Sequence, residues 1–504
     1  MAPNESTPTR PGGGDWLTVD VQRGRRVALA LAIAWALVVW FLIPHGIGTS
    51  WRECETQAIS RNFVHDGFDP LRPRIDWRGL TDGAVECEFP LYQLVVGAVL
   101  AVTGIVEWPG RVLSLLSMIL GTLAAHRLLE RRAGPTGAVV GLAVLLCCGS
   151  TLILGARVMP DATSFACGMV GLLLLERWLR TSSRLAICFA TLAIQASCLQ
   201  KPLSLQLGIV MFGWTLAWAP RKSTHPLLWA SFAMILIPVC LWLVHGAHLH
   251  AETGLSFGVV SGGDSKFPDA AHLFDPGTHA VMAWSLLAFG CSAFGMVAFL
   301  AALLQRRLGF ADFALLAAVG AGLLVSFRYS HNSGLGPHYH IFAAFAGAWC
   351  VAIAWPRRAP LWLWLAVLVG LCAQGAWRLK DERGVRIVVN EHPIMAAAKV
   401  VQSLSAPDDL IVVRSEKPRE DKEWHSGNNF EDPRLLYQSR RHGFAIPREE
   451  FTWDRLADLR RLGARFAFDP VPGSAPAATV TWLRANAELV FDADVQVWRF
   501  LPVH

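Results

Sequence analysis

What most constrains this chain is a series of apolar runs that recurs from residue 27 to about residue 377. Each is about 18 to 20 residues long, the length an α-helix needs to cross a hydrocarbon core of about 30 Å. With 53% hydrophobic and only 17% charged residues, the composition is too apolar for a soluble protein. The fold class that follows is a polytopic α-helical membrane protein. Beyond about residue 380 the apolar runs stop and the composition becomes that of a soluble domain.

Basic clusters between the runs orient them, because Lys and Arg at helix ends mark the cytoplasmic side. They are Arg23/Arg25/Arg26, Arg127/Arg131/Arg132, Arg177/Arg180/Arg184, Arg221/Lys222, Arg306/Arg307 and Arg357/Arg358. The net charge of +6 resides largely in these clusters, so it speaks for topology and against a nucleic-acid partner. From Arg132 onward, paired segments cross out and back: 134–153 with 163–178, 184–200 with 202–219, 227–246 with 280–303, and 309–327 with 339–355. A last span at 361–377 leaves 381–504 outside as a small α/β domain. Between the first outer loop, 47–89, and Arg127 the number of crossings must be odd, yet two apolar runs are present, 90–105 and 110–126. Reading 90–105, which begins at Pro90, as interfacial or re-entrant gives about 11 spans. Twelve spans would place Arg127, Arg131 and Arg132 outside, against the charge rule. The polar, Pro/Gly-rich residues 1–26 are expected to be a disordered cytoplasmic tail with no cleavable signal peptide, followed by a signal anchor. The transmembrane domain is then 27–380.

The outer face collects the unusual residues. The opening loop contains WRECETQAISRNF and ends in VECEFPLY, with Glu86 and Glu88 before Pro90. If 51–63 is helical, Glu53, Gln57 and Arg61 share one face at a spacing of four. An acid and a base two turns apart can flank a substrate carrying a hydroxyl and a phosphate; the bland alternative is a solvated amphipathic helix whose Arg52 and Glu55 face water. The same side receives the turn with Arg157 and Asp161, the short turn at Lys201, the long loop 247–279, and the stretch 328–338 with Arg328, His331 and His338. Nine of the eleven cysteines lie in apolar segments; Cys54 and Cys87 lie in the polar loop, where a disulfide is open. His248, His250 and Glu252 alternate, and if extended they could join Glu88 around a divalent metal, the one cofactor for which there is a candidate set. In 381–504, RIVV (386–389) and LIVV (410–413) read as strands around a helix at 392–404. A helix at 449–463 and strands in ARFAF, ELVF and VQVWRF complete a small α/β sandwich without a phosphate loop or nucleophile, suited to docking or covering a site.

An acidic helix ending in Ile-Ser-Arg in the first outer loop, followed by an acid-x-Pro-Leu-Tyr turn, resembles the GT-C glycosyltransferases. The branch it is most similar to holds the protein O-mannosyltransferases and lipid A aminoarabinose transferases, glycosyltransferase family 39. WPGR at 108–111, MPDA at 159–162, LQKPL at 199–203 and HYH at 338–340 resemble further loop signatures of that family. In the family the first loop usually reads Asp-Glu-x-x-Tyr-Ala-x-Ile-(Ala/Ser)-Arg, with the Asp as acid/base. Here that Asp falls on Arg52 and the Glu on Glu53, and the Lys of a later Lys-Pro turn becomes Phe89. Arg52 cannot serve as a base, so the resemblance passes the role to Glu53, with Glu55 second.

The resemblance implies an inverting transfer of sugar from a polyprenyl-phosphate donor to an acceptor hydroxyl on a lipid, glycan or protein, at the outer face of the bacterial inner membrane. It also implies cations for the leaving phosphate, for which Arg61, Arg157, Lys201 and Arg328 are candidates beside His338, Glu88 and Asp161; headgroup snorkelling is the alternative for each cation. Two other classes compete. A transporter or flippase is disfavoured because the charges sit in outer loops and the spans carry few acids. A non-catalytic membrane assembly factor is suggested by Arg52 at the usual acid position.

Overall fold

The computed structural model describes residues 20–261, 273–330, 337–356, 359–417, 420–421, 426–427 and 430–502. Fourteen α-helices precede the C-terminal sheet region among these residues. They are α1 (Val21–Leu42), α2 (Trp51–His65), α3 (Leu91–Thr103), α4 (Trp108–Cys147), α5 (Gly149–Ala156), α6 (Asp161–Thr181), α7 (Arg184–Gln200), α8 (Leu207–Trp218), α9 (Pro226–Thr253), α10 (Pro276–Ala288), α11 (Ser292–Leu304), α12 (Phe310–Ser330), α13 (Ile341–Ala354) and α14 (Leu361–Glu391).

Five continuous helical stretches are long and apolar enough to cross a membrane, or six if α10 and α11, bent by 100°, form one broken span. The expectation of about 11 spans is therefore not met by eleven unbroken helices among the described residues. Local chemistry supplies the breaks. Gly134 takes φ +83° in front of Pro135 and kinks α4, and Pro202 ends α7 before α8 begins. Helix α3, 13 residues long, covers about 20 Å at about 1.5 Å per residue, short of a hydrocarbon core.

Helix packing in the bundle relies on small residues, as expected where lipid removes the hydrophobic drive between helices. A Cβ on Gly137 would lie 2.5 Å from the Ala352 carbonyl oxygen, and one on Gly141 2.7 Å from that of Ala348. The second half of α4 and α13 can thus approach backbone to backbone. Trp178, Trp214, Phe165 and Phe345 fill the volume around this contact.

Helix α14 overturns one expectation. Residues 386–389 are helical, and the helix runs without a break from the last apolar segment to Glu391. One Arg and three apolar residues are too short a run for their period to distinguish strand from helix. In α14 the buried positions include Arg378, Glu382 and Arg386, spaced by four, while Val385, Ile387 and Val388 are exposed.

After α14 come α15 (Ile394–Leu404), α16 (Arg434–Ser439), α17 (Trp453–Arg461) and α18 (Ala477–Asn486). Strands β1 (Leu410–Arg414), β4 (His442–Ile446), β5 (Ala464–Asp469), β6 (Ala487–Asp492) and β7 (Gln496–Phe500) form one mixed sheet in the order β4-β1-β5-β7-β6; β2 (Glu420–Asp421) and β3 (Ser426–Gly427) form a separate pair. β1 is parallel to β4 and β5, and β7 is antiparallel to β5 and β6. Strand alternation sends Ile411, Val413, Phe466 and Phe468 toward α15 and α16, and Val412 and Ala467 toward α17 and α18. The first of these cores also contains Ile59, Phe63, Trp77 and Val85 of the opening loop, so sheet and loop share one apolar interior.

Candidate functional site

Helix α2 is polar yet buried from Glu53 to Phe63. It is no solvated amphipathic helix, because its charges are matched inside the protein. Two charge systems and a separate Arg61–Asp76 cluster result, and they divide the residues singled out from the sequence.

The inner system is buried except at its Arg157 end, which is 20% exposed. Arg386 of α14 reaches Glu53 at 2.7 Å, and the Val158 backbone N–H donates to the same carboxylate at 2.7 Å. Arg386 also contacts Glu382 at 3.3 Å, and Glu382 accepts from Arg157 at 2.9 and 2.7 Å. Side chains of Glu53, Glu382 and Arg386 are 1 to 2% exposed. Burial pushes the Glu53 carboxyl upward, but Arg386, Arg157 and the Val158 N–H together outweigh this and hold it below the ordinary value. Glu53 is consequently a buried, ionised carboxylate held by Arg386 and the Val158 N–H, with one oxygen that lacks a hydrogen-bond partner of good geometry. Arg157 is likewise committed to Glu382. Arg61 is committed elsewhere again: it lies 2.6 Å from buried Asp76, donates to the Tyr437 carbonyl at 3.1 Å and stacks over that ring. Asn62 and His442 also face Asp76, whose carboxyl these partners hold well below the usual range against the effect of burial. This cluster joins α2 to the C-terminal sheet.

The second system opens outward and runs as a line of alternating charge. The Trp51 indole N–H donates to Glu55 at 3.2 Å, and Glu55 lies 3.5 Å from Arg52. Arg52 donates to both oxygens of Glu88 at 3.0 and 3.1 Å. Lys201 donates to Glu88 at 2.9 Å and lies 3.4 Å from Asp161. Each member is positioned by its local sequence. Pro202 stops α7, so Lys201 projects from the helix end. Asp161 opens α6 after Pro160, where the positive helix end favours a carboxylate. Glu88 precedes the Pro90 that starts α3, and the Phe89 N–H is tied to the Leu199 carbonyl at the end of α7.

Electrostatics within this line are uneven. Burial raises Glu55 to about 7, an effect that Arg52 only partly opposes. Glu88 is also pushed up by burial, but Lys201 and Arg52 together bring it well below the usual carboxylate range. Beside Asp161 and Lys201 lies a cavity of about 30 Å³ bounded by Ser164, Ser204, His338 and Tyr339. That is room for a water or two, not for a sugar. One oxygen of Asp161 is buried there without a hydrogen-bond partner. A second cavity, about 660 Å³, is lined by apolar side chains of α8, α9 and α12, including Phe212, Trp229, Phe232 and Phe313.

The remaining expectations divide. The Arg328 side chain and His331 lie outside the described residues, as do residues 262–272 of the long loop. His248, His250 and Glu252 lie in α9 instead of an extended segment, so a spacing of two scatters them around the helix. Glu252 accepts from Arg72 at 2.7 Å, and Glu88 is engaged by Arg52 and Lys201. The metal set is thus not assembled, and no group of three or more potential ligands occurs among the described residues. Cys54 and Cys87 are both free and buried in different apolar clusters, which removes the disulfide. Sequence reasoning missed Arg386, Glu382 and Asp76 as partners. The four-residue spacing of Arg378, Glu382 and Arg386 was the available signal, hidden by reading 386–389 as a strand.

By sequence, no protein-family model and no curated protein matches this chain. Solved structures do match. ArnT from Cupriavidus metallidurans, bound to undecaprenyl phosphate, is similar over 93% of this chain and 97% of its own, with a TM-score of 0.61 at 14% identity. The archaeal oligosaccharyltransferase AglB from Archaeoglobus fulgidus, in complex with an inhibitory peptide and a dolichol-phosphate, is similar over 89% of this chain and 69% of its own, with a TM-score of 0.55 at 13% identity. Both are GT-C fold glycosyltransferases, and the chain described here has the GT-C fold.

Proposed function

We propose that this protein is an integral-membrane, inverting glycosyltransferase that moves a sugar from a polyprenyl-phosphate donor to an acceptor hydroxyl at the outer face of a bacterial inner membrane, its sheet domain in the periplasm. The observation that carries the proposal is the outward-opening line Glu55, Arg52, Glu88, Lys201, Asp161 on a fold shared with proteins bound to undecaprenyl phosphate and dolichol-phosphate. It sets carboxylates and cations side by side where a membrane lipid and a water-borne acceptor can meet.

In this reading the acceptor oxygen attacks the anomeric carbon while a carboxylate takes its proton. The bond from that carbon to the phosphate oxygen breaks, and the polyprenyl phosphate leaves with one more negative charge. Glu55 is the base we favour: its value of about 7 balances ionisation against proton affinity near neutral pH. Lys201 holds the departing phosphate, pinned beside the bilayer by Pro202, with His338 and Asp161 adjoining. The lipid tail has an apolar groove available on α8, which begins six residues after Lys201 and contributes Gly208 and Phe212. Glu53, Arg157 and Arg61 take structural roles.

The test is to incubate purified protein with labelled polyprenyl-phosphate sugars and a mixture of lipid, glycan and peptide acceptors. Labelled acceptor with release of polyprenyl phosphate is expected. Movement of intact donor between leaflets without product would make the protein a flippase, and neither outcome would make it an assembly factor.

A further inference from the structure

Lys201 is one of two cations on Glu88; the other is Arg52. We infer that Arg52 and Lys201 form a two-cation clamp for the donor phosphate, in which the Glu88 carboxylate is the resting occupant that the phosphate displaces. This rests on the polyprenyl-phosphate reading above and assigns a binding role to a residue that a position for the base would leave unexplained.

Three observations support the assignment. Arg52 donates through Nη2 to both Glu88 oxygens, and Lys201 donates to one of them, so a single carboxylate bridges two cations from α2 and the end of α7. A bridging anion between two cations is the arrangement a phosphate takes, and guanidinium prefers the planar, forked acceptor geometry that phosphate also offers. Arg52 is also the most open member of the line. Its side chain is 30% exposed, against 16% for Glu88, 15% for Lys201, 9% for Glu55 and 4% for Asp161. The cavity on the Asp161 side is too small for a sugar, whereas Arg52 faces the open side of the line. Finally, apart from its Glu88 bonds, the contacts of Arg52 are loose. Its Glu55 contact is long at 3.5 Å and its face lies 5.4 Å over the Phe257 ring, whereas Arg61 and Arg386 are sealed in ion pairs with 2 to 4% exposure.

Displacement needs no net loss of hydrogen bonds. The donor's phosphodiester brings two free acceptor oxygens and one negative charge, matching the carboxylate, and the monoester released from it brings three oxygens and more charge, so both cations keep a partner while Glu88 turns away or takes a proton. A purely structural Glu88 bridge makes the opposite forecast for its own removal.

The experiment measures binding of a polyprenyl monophosphate to full-length protein in lipid nanodiscs, with the matching polyprenol and inorganic phosphate as separate arms. Arg52→Gln is expected to weaken polyprenyl monophosphate about tenfold or more, the loss of a charge-assisted hydrogen bond, with polyprenol binding unchanged and Arg52→Lys recovering part of the loss. Glu88→Gln is expected to tighten the phosphate several-fold, because the resting competitor is gone. Inorganic phosphate should compete only weakly in the wild type and better in Glu88→Gln. Unchanged affinity in Arg52→Gln, or weakened affinity in a folded Glu88→Gln, overturns the clamp while leaving the donor reading intact. A wild-type protein that binds polyprenol and polyprenyl monophosphate alike overturns both.

Discussion

Replacing Glu53 by Gln separates a structural carboxylate from a catalytic one. The Glu53–Arg386 pair is 2.7 Å long with side chains 1 and 2% exposed. Breaking a buried pair by removing one partner costs about 3 to 5 kcal/mol, because the surviving charge is left uncompensated. Two features place this case near the lower end. Arg386 retains Glu382 at 3.3 Å, and a glutamine oxygen can still accept the Val158 N–H. We therefore expect Glu53→Gln to cost about 3 kcal/mol, seen as a fall of several degrees in the melting temperature of the purified protein in one fixed detergent. Replacing both partners by apolar residues, Glu53→Leu with Arg386→Met, should recover most of that loss, since well-packed apolar substitutes for a buried pair are often neutral. A double-mutant cycle over these variants gives the coupling directly. Transfer activity per folded molecule should fall far less in Glu53→Gln than in Glu55→Gln. A Glu53→Gln protein that melts like the wild type but loses transfer a hundredfold would refute the reasoning and return Glu53 to the chemistry.

Glu55→Gln should lower the transfer rate by about a hundredfold or more, the usual contribution of a general base, measured as product formed at saturating donor. In the wild type the rate should rise with pH through about 7 and level off above it, because only the ionised carboxylate accepts a proton. The stability effect of the same group has the opposite slope. Its folded value lies above its unfolded one, so the native state binds the proton more tightly and stability from Glu55 declines as pH rises through that window. Asp76 behaves in reverse: Arg61, Asn62 and His442 stabilise its ionised form, so its contribution is present above the ordinary aspartate value and is lost in acid. Asp76→Asn should therefore lower the melting temperature at neutral pH and flatten its acid dependence. Cys54→Ser and Cys87→Ser, singly or together, should leave the melting temperature insensitive to reductant, since both thiols are free.

Much of the outer face was legible in the chain because proline and charge act locally. Pro202 and Pro90 determine where helices stop and start, and therefore where Lys201 and Glu88 emerge, whatever the rest of the fold does. Lys201, Asp161 and His338 were recognised from short turns and do gather around one small cavity. Arg61, Arg157 and Glu53 were recognised too, but as free agents. What the chain did not reveal is that each has a buried counter-ion 15, 225 or 333 positions away. Pairing at such separations leaves no periodic trace.

Apolar run length and basic clusters, by themselves, determined a helical membrane bundle followed by a C-terminal part of less apolar composition, since crossing a bilayer demands a minimum of apolar helix. Four strands of that part, β1, β5, β6 and β7, were readable as short apolar runs; β4 (His442–Ile446) was not, and at 386–389 Arg386 and three apolar residues belong to the continuation of a helix. Tertiary structure alone decided which acids are available for chemistry. Glu53 and Glu55 stand two residues apart on α2, so they point to different sides of the helix. One meets Arg386 inside the protein and stays ionised, while the other meets only Trp51 and Arg52 near the opening and rises to about 7. Composition and spacing describe these two residues alike; only the groups that α14 brings against one of them, and not the other, distinguish a strut from a candidate base.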